Sequence, residues 1–206
     1  MTYVEQVVQW LRDRLARDPP LADPRELNTA LRVLAIWRSR AIGDAYVRQY
    51  GAKVMQGPFA GMDYATSATE GALTARLLGT YESELHPYLA KFAANPPDCV
   101  IDVGCAEGYY AVGLARMMPQ VRVHAFDIQE KARRACAEMA AKNGVGDRVI
   151  IGERFEPTHD IVRLDPQPKT LPLPDFLKGA GHLDQLLAVW EFRLQATPWL
   201  VMTPKA

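Results

Sequence analysis

Two acidic residues, each set against the end of a short apolar run, are the residues of this chain best placed to do chemistry. Asp102 stands within Cys99-Val-Ile-Asp-Val-Gly-Cys-Ala-Glu-Gly108, two positions before Gly104, and Gly108 closes the turn that Gly104 opens. Asp127 directly follows the run Val121–Phe126. A β-branched run, a tight glycine turn and a helix start let a polar, adenosine-bearing ligand lie against bare backbone at the carboxyl end of a parallel strand. Glu153 sits just past a third run, Arg148-Val-Ile-Ile151. Each feature alone has a plainer reading. Glycine turns after strands are common, Asp127 is a good helix N-cap, and Glu153 reads as a solvated acid. The joint spacing points to a ligand crevice.

The flanking sequence supplies the elements that must position these residues. Pro96 and Pro97 stop any preceding helix. Val100, Ile101 and Val103 suit a strand covered on both faces. After Gly108, the apolar positions Tyr110, Val112, Leu114, Ala115 and Met118 follow helical spacing until Pro119. Val121 to Phe126 gives a second strand. Residues 129 to 142 give a helix stopped by Asn143-Gly144, and 148 to 151 a third strand. Strand, helix, strand, helix, strand predicts a parallel sheet with right-handed crossovers. The expected fold is α/β, a doubly wound and mostly parallel sheet with an N-terminal helical extension.

The glycine spacing discriminates between nucleotide ligands. A dinucleotide site wants glycine at the first, third and sixth positions. Here those positions hold Gly104, Ala106 and Tyr109. Tyrosine there obstructs close helix-to-strand packing, which argues against a nicotinamide-dependent dehydrogenase. Asp-x-Gly-x-Ala-x-Gly instead resembles the class I S-adenosylmethionine-dependent methyltransferases, across residues 98 to 153. The resemblance implies that Asp102 contacts the methionine amino group of S-adenosylmethionine, directly or through water. It implies that Gly104, Ala106 and Gly108 allow close approach of the cofactor. Asp127 would take the two ribose hydroxyls, and Glu153 would lie near the adenine amine.

A narrower resemblance lies upstream. Gln56-Gly-Pro-Phe-Ala-Gly-Met62 and Leu77-Leu-Gly-Thr-Tyr-Glu-Ser-Glu-Leu85, with Asp102 to Tyr110, look like the FkbM-like group. There a short extended segment and a Gly-x-Tyr-Glu helix precede the glycine loop. The likeness implies methyl transfer to a small molecule or sugar, at oxygen. On the residues alone, Tyr81, Glu82, Leu85, Tyr88 and Leu89 form one helix face, mostly core. Glu82 reads equally as a cofactor-side or a structural residue.

Composition bounds the remaining possibilities. The chain has 206 residues, enough for one core, and a formal net charge of zero. No basic stripe suggests nucleic acid, and no apolar run spans a bilayer. Cys99, Cys105 and Cys136 show no metal spacing and suit a reducing cytoplasm. His86, His124, His159 and His182 are scattered, with His124 expected to pack in the core. Residues 1–94 read as a helical extension with a short extended segment, and 95–206 as the cofactor-binding domain. Val4, Val7, Val8, Leu11 and Leu15 line one helix stripe. Asp23-Pro-Arg-Glu26 starts a second helix. These helices could cap the site, form a homo-oligomer contact or serve as packing, and the interspersed arginines read as solvated faces.

The C-terminal segment admits two readings. Pro157, Pro166, Pro168, Pro172 and Pro174 interrupt any long element after Glu153. In one reading, Asp160–Asp165 is a fourth strand ending at the crevice. Residues 187–192 and 199–202 then close an antiparallel hairpin. In the other, resemblance to the end of an FkbM-like chain places Arg154 directly after a missing acceptor half. That would leave a shortened, cofactor-binding relative. No catalytic residue is assigned; His159 and Asp165 are candidate bases only if 159–165 reaches the crevice.

Overall fold

A computed structural model describes residues 2–17, 20, 23–65, 72–153, 159–164, 174–189 and 199–204. Helix α1 spans Tyr3–Leu15 and begins with a reciprocal cap. The Glu5 amide donates to Thr2 Oγ1 at 3.3 Å, and the Thr2 amide donates to Glu5 Oε2 at 2.7 Å. Of its apolar stripe only Val7 is buried, while Val4 and Leu15 are exposed. Helix α2 spans Pro24–Tyr50, 27 residues and about 40 Å long. It starts at the expected signal: the Asp23 carboxylate accepts from the Arg25 amide at 2.8 Å, with Pro24 in the first turn. Glu26 pairs with Arg14 at 3.1 Å and Arg17 at 2.5 Å, tying α1 to α2.

Residues 52–64 form a compact hairpin bridged at Lys53 and Asp63. Its Met55 amide donates to the Leu77 carbonyl at 2.8 Å in helix α3, Leu73–Leu78. Helix α4 spans His86–Ala94. The continuous helix face expected over Tyr81 to Leu89 is not formed. Gly79 ends α3 in the left-handed conformation (φ 69°), and Glu82 is itself left-handed (φ 48°). Ser83–Leu85 is one 3-10 turn, and Pro87 then sits in the first turn of α4. Tyr81 and Glu82 thus lie on a turn.

Next come β1 (Cys99–Val103), α5 (Tyr109–Met117), β2 (Arg122–Phe126), α6 (Glu130–Lys142) and β3 (Val149–Gly152). β1 pairs parallel with β2, and β2 with β3, in spatial order β1-β2-β3. The register aligns Asp102 with Ala125 and Ala125 with Ile151. The carboxyl ends of all three strands therefore fall along one edge. Val123 and Ala125 on the middle strand are fully buried, while His124 between them is half-buried. One apolar cluster joins Tyr46 of α2, Val54 and Met62 of the hairpin, Val112 of α5, Met139 of α6 and Leu187.

The remaining elements are β4 (His159–Leu164), a 3-10 turn (Asp175–Leu177), helix α7 (His182–Val189) and β5 (Trp199–Pro204). Two expectations are corrected here. β4 is a strand, but it pairs antiparallel with β5 and does not extend the parallel sheet. Residues 187–189 belong to a helix, so the closing hairpin is β4 with β5. Asp184 anchors α7 on α2 through Arg38, at 2.5 and 2.6 Å. Asp165 and residues 190–198 lie outside the described residues. No helix among the described residues is long and apolar enough to cross a membrane.

Candidate functional site

The strand ends set Asp127 and Glu153 level with each other, while Asp102 lies opposite Ala125, two residues earlier in the register. Asp102 is the penultimate residue of β1, Asp127 follows the last residue of β2, and Glu153 follows the last residue of β3. Gly104 (φ 82°), Ala106 (φ 48°) and Gly108 (φ 92°) make the turn from β1 into α5. The Gly104 and Cys105 amides both donate to the Phe126 carbonyl, at 2.7 and 3.0 Å. This stitches the turn to the end of β2.

The two glycines do different work. A Cβ on Gly104 would meet no heavy atom within 4 Å, so this side of the turn is open. A Cβ on Gly108 would stand 2.7 Å from Cys136 Sγ and 3.3 Å from Cys136 Cα, so Gly108 lets the turn pack on α6. The Cys105 thiol donates to the Ala106 carbonyl at 3.8 Å, and the neighbouring Cys136 thiol and burial push it up. A thiol held protonated in this way is a poor nucleophile.

Asp127 fixes the loop through both carboxylate oxygens. Oδ2 accepts from the Ala106 amide at 3.0 Å, and Oδ1 accepts from the Gln129 amide at 2.8 Å. The second bond is an Asx turn just ahead of α6. The N-cap itself is Gln129, which makes no side-chain cap, so Asp127 is not the helix N-cap that the sequence allowed. Arg133 Nη1 donates to the carbonyls of Asp127 and Ile128, at 2.8 and 3.1 Å, and so braces the backbone behind the carboxylate. A cleft of about 100 Å³ runs along Ala106, Asp127, Gln129 and Lys131. A larger cavity of about 320 Å³, lined by Arg116 and Arg148, lies at the other end of α5 and touches none of these acids.

Asp102 is the anomalous group. Its Oδ2 is buried without a hydrogen-bond partner among the described residues. Burial raises its carboxyl from 3.8 to about 6; the Ala111 amide opposes the rise, and the charges of Asp127 and Glu107 add to it. A buried acceptor left open at the mouth of a strand is a cost to the fold that a cationic donor in the crevice would relieve.

The structure also assembles a group that the sequence reading passed over. Glu107, inside the glycine loop, is buried. Arg76 Nη1 donates to its Oε1 at 2.5 Å, and the Tyr64 hydroxyl donates to the same oxygen. Burial alone would lower Arg76, but the neighbouring Tyr64, Glu107 and Tyr81 outweigh it and the guanidinium is held charged. The available signal was one charged residue, Arg76, inside the short Leu73–Leu78 stretch. Tyr109, whose bulk argued against a dinucleotide site, is the centre of an aromatic cluster. Its ring centroid lies 5.2 Å from Phe59, 5.5 Å from Tyr81 and 6.2 Å from Tyr64. Glu82 is buried beside Tyr81 and Tyr110; burial first, and then Glu82, push both phenols up. His159 lies at the start of β4. Among the described residues no group of three or more His, Cys, Asp or Glu is placed to hold a metal ion.

A strand, glycine loop and helix, with acids near successive parallel strand ends, define a Rossmann-like α/β arrangement. Comparison with known proteins narrows that class. Residues 95–158 match the family model of a methyltransferase domain. A release factor glutamine methyltransferase of Synechocystis sp. is 32% identical over 119 residues, covering 55% of this chain and 37% of that protein. This chain thus spans little more than a third of the length of that curated relative. Among solved structures, an O-methyltransferase family protein from Burkholderia thailandensis is 20% identical. That match covers 37% of this chain and 24% of the other, with a TM-score of 0.29. Coclaurine N-methyltransferase bound to N-methylheliamine and SAH is 17% identical. It covers 75% of this chain and 45% of the other, with a TM-score of 0.33.

Proposed function

We propose that this protein is a methyltransferase of the FkbM-like group that uses S-adenosylmethionine and acts at oxygen on a small molecule or sugar. Asp102, Gly104, Ala106, Gly108, Asp127 and Glu153 form the cofactor-binding set. The observation that carries the reading is the buried, unpartnered Oδ2 of Asp102, two residues before the open position of Gly104. That pairing suits an ammonium group laid against bare backbone, and it stands within the segment matched by the methyltransferase-domain model.

The remaining residues fit the rest of the ligand. Each Asp127 oxygen accepts one amide and keeps a lone pair for a hydroxyl. Gly104 leaves room for close approach, and the Asp127 tie to Ala106 sets the turn before a ligand arrives. When bound, S-adenosylmethionine supplies an activated methyl group on sulfur for in-line displacement. The chain's own contribution is then alignment of the reacting groups.

Asp127→Ala is expected to weaken binding of S-adenosylhomocysteine by about 1–3 kcal/mol, since the hydroxyl pair loses a charged acceptor. Calorimetric titration checks this. Native affinity in a folded Asp127→Ala protein would remove the assigned role.

A second reading is favoured by one observation. β4 pairs with β5 and not with β1, so the described residues place no fourth strand beside the crevice. That arrangement suits a cofactor-binding relative without a competent acceptor site. Saturable S-adenosylhomocysteine binding with no methyl transfer to any hydroxyl acceptor would select it.

A further inference from the structure

We propose that Arg76 and Tyr64, supplied by the chain ahead of the parallel sheet, are positioning residues of the cofactor loop: they hold Glu107 as a neutralised buried pair and so fix the Ala106–Gly108 turn against Asp127. The inference rests on reading that turn as the cofactor loop. Its geometry stands independently of that reading.

The turn is pinned from two sides. On the crevice side, the Ala106 amide donates to Asp127 Oδ2 at 3.0 Å. On the other side, the next residue sends its carboxylate into the N-terminal layer, where its side chain is 4% exposed and that of Arg76 is 10% exposed. Arg76 is itself held in place. Its Nη1 lies 3.3 Å from the Tyr64 hydroxyl, its Nη2 donates to the Tyr81 hydroxyl at 3.3 Å, and its guanidinium lies 4.5 Å from the Tyr81 ring centroid. Tyr64 belongs to the hairpin and Arg76 to α3, so two separate elements converge on one oxygen of Glu107.

Other charges face the same loop: Asp102 from β1, Asp127 from β2 and Lys131 from α6. Without Arg76, Glu107 would be a buried carboxylate beside two further acids. It would have to take up a proton or swing out, and either event moves Ala106. A fully desolvated ion pair is poor evidence for stability and better evidence for fixed geometry. Here the geometry fixed is that of the turn closed by Gly108. The N-terminal region then has a defined task at the site.

The test compares Arg76→Met, Arg76→Lys and the double variant Arg76→Met/Glu107→Gln. Binding of S-adenosylhomocysteine is measured by calorimetry, and melting temperature is followed between pH 6 and 8. Arg76→Met is expected to weaken binding about 10-fold or more and to melt at progressively lower temperature as pH rises, because an unpaired buried carboxylate ionises at greater cost. The double variant removes that charge and is expected to recover most of the affinity and a native pH dependence of melting. Arg76→Lys keeps a positive charge for Glu107 but loses the Nη2 bond to Tyr81 and the planar guanidinium on its ring. It is expected to bind more weakly than native protein and more tightly than Arg76→Met, with a native pH dependence of melting. Binding no better than Arg76→Met, with the same pH dependence as that variant, overturns the proposal. Native binding by Arg76→Met overturns the proposal. So do equal losses in the single and double variants with no change in the pH dependence of melting, since that pattern marks plain packing. If Arg76→Met alone does not fold, recovery of a folded, binding protein in the double variant is the expected result, and its absence overturns the proposal. If the native protein binds no S-adenosylhomocysteine, the functional reading fails, and the melting series still decides whether Arg76 neutralises Glu107.

Discussion

Asp102→Asn is expected to stabilise the ligand-free protein at pH 8 and, in the same molecule, to remove most of its affinity for S-adenosylhomocysteine. The two effects share one cause. The Asp102 carboxyl is raised from 3.8 to about 6, chiefly by burial, and its Oδ2 has no partner among the described residues. A carboxyl whose folded value lies above its unfolded value binds protons more tightly in the folded state. Its ionisation therefore costs stability in full above about pH 6, and the cost disappears as pH falls toward 4. The size of the rise is equivalent to about 1–3 kcal/mol. Neutral asparagine escapes that cost, so the Asn variant should gain stability at pH 8 and match the native protein near pH 4. Urea unfolding at both values measures this. Binding should move in the opposite direction. Loss of the charged acceptor for an ammonium group is worth about 2–3 kcal/mol, or roughly 30- to 150-fold in affinity. Native binding should likewise weaken below about pH 6, as Asp102 takes up its proton. A variant that loses stability at pH 8, or keeps native affinity, would show that Asp102 is an ordinary structural acid.

Gly108→Ala carries the largest expected loss of stability. Its φ of 92° strains any L side chain, and the new Cβ would stand 2.7 Å from Cys136 Sγ and 3.3 Å from Cys136 Cα. Cys136 is fully buried, so the sulfur has little room to yield. Backbone strain of about 1–2 kcal/mol and overpacking of about 1–3 kcal/mol should together remove about 2–5 kcal/mol. Gly144 provides the internal control. Its φ is 67°, but a Cβ there would meet nothing within 4 Å. Gly144→Ala should therefore cost only the strain, about 1–2 kcal/mol. Denaturant unfolding of both variants separates the two contributions. Equal losses would mean that the contact of the glycine loop with α6 contributes nothing.

The parts of the fold readable in the sequence are those whose signals are local. Asp23-Pro24 starts α2 where its capping chemistry requires, and Asn143-Gly144 ends α6. The alternating strands and helices from Cys99 to Gly152 form in the expected order with the expected parallel pairing. The positions of Asp127 and Glu153 just past β2 and β3, and of Asp102 as the penultimate residue of β1, follow directly from those strand boundaries.

The misreadings have physical causes of a different kind. Apolar spacing over Tyr81–Leu89 imitates a helix face, but the left-handed Glu82 breaks it, and no periodicity reports a backbone angle. The partner of Asp160–Leu164 lies some forty residues away, and antiparallel pairing over that distance leaves no local trace. A short apolar run such as 183–189 fits helix and strand equally, and its docking on α2 through Arg38 and Asp184 accompanies the helical outcome. Tyr109 obstructs only a dinucleotide-type packing of α5; the hairpin and Tyr81 supply an aromatic pocket for it that spacing could not reveal. The Arg76–Glu107 pair went unseen for the same reason, since its residues meet only in three dimensions.

The most direct test of the central claim is a calorimetric titration of the native protein with S-adenosylhomocysteine at pH 8, beside Gly104→Asp. A Cβ at Gly104 meets no protein atom, and aspartate tolerates its left-handed backbone better than most residues, so this variant should fold while filling the crevice with a like-charged group. Saturable one-site binding by the native protein, lost in Gly104→Asp, is the predicted result. Absence of binding by a folded, monodisperse native protein would contradict the account and leave the glycine loop as a record of ancestry alone.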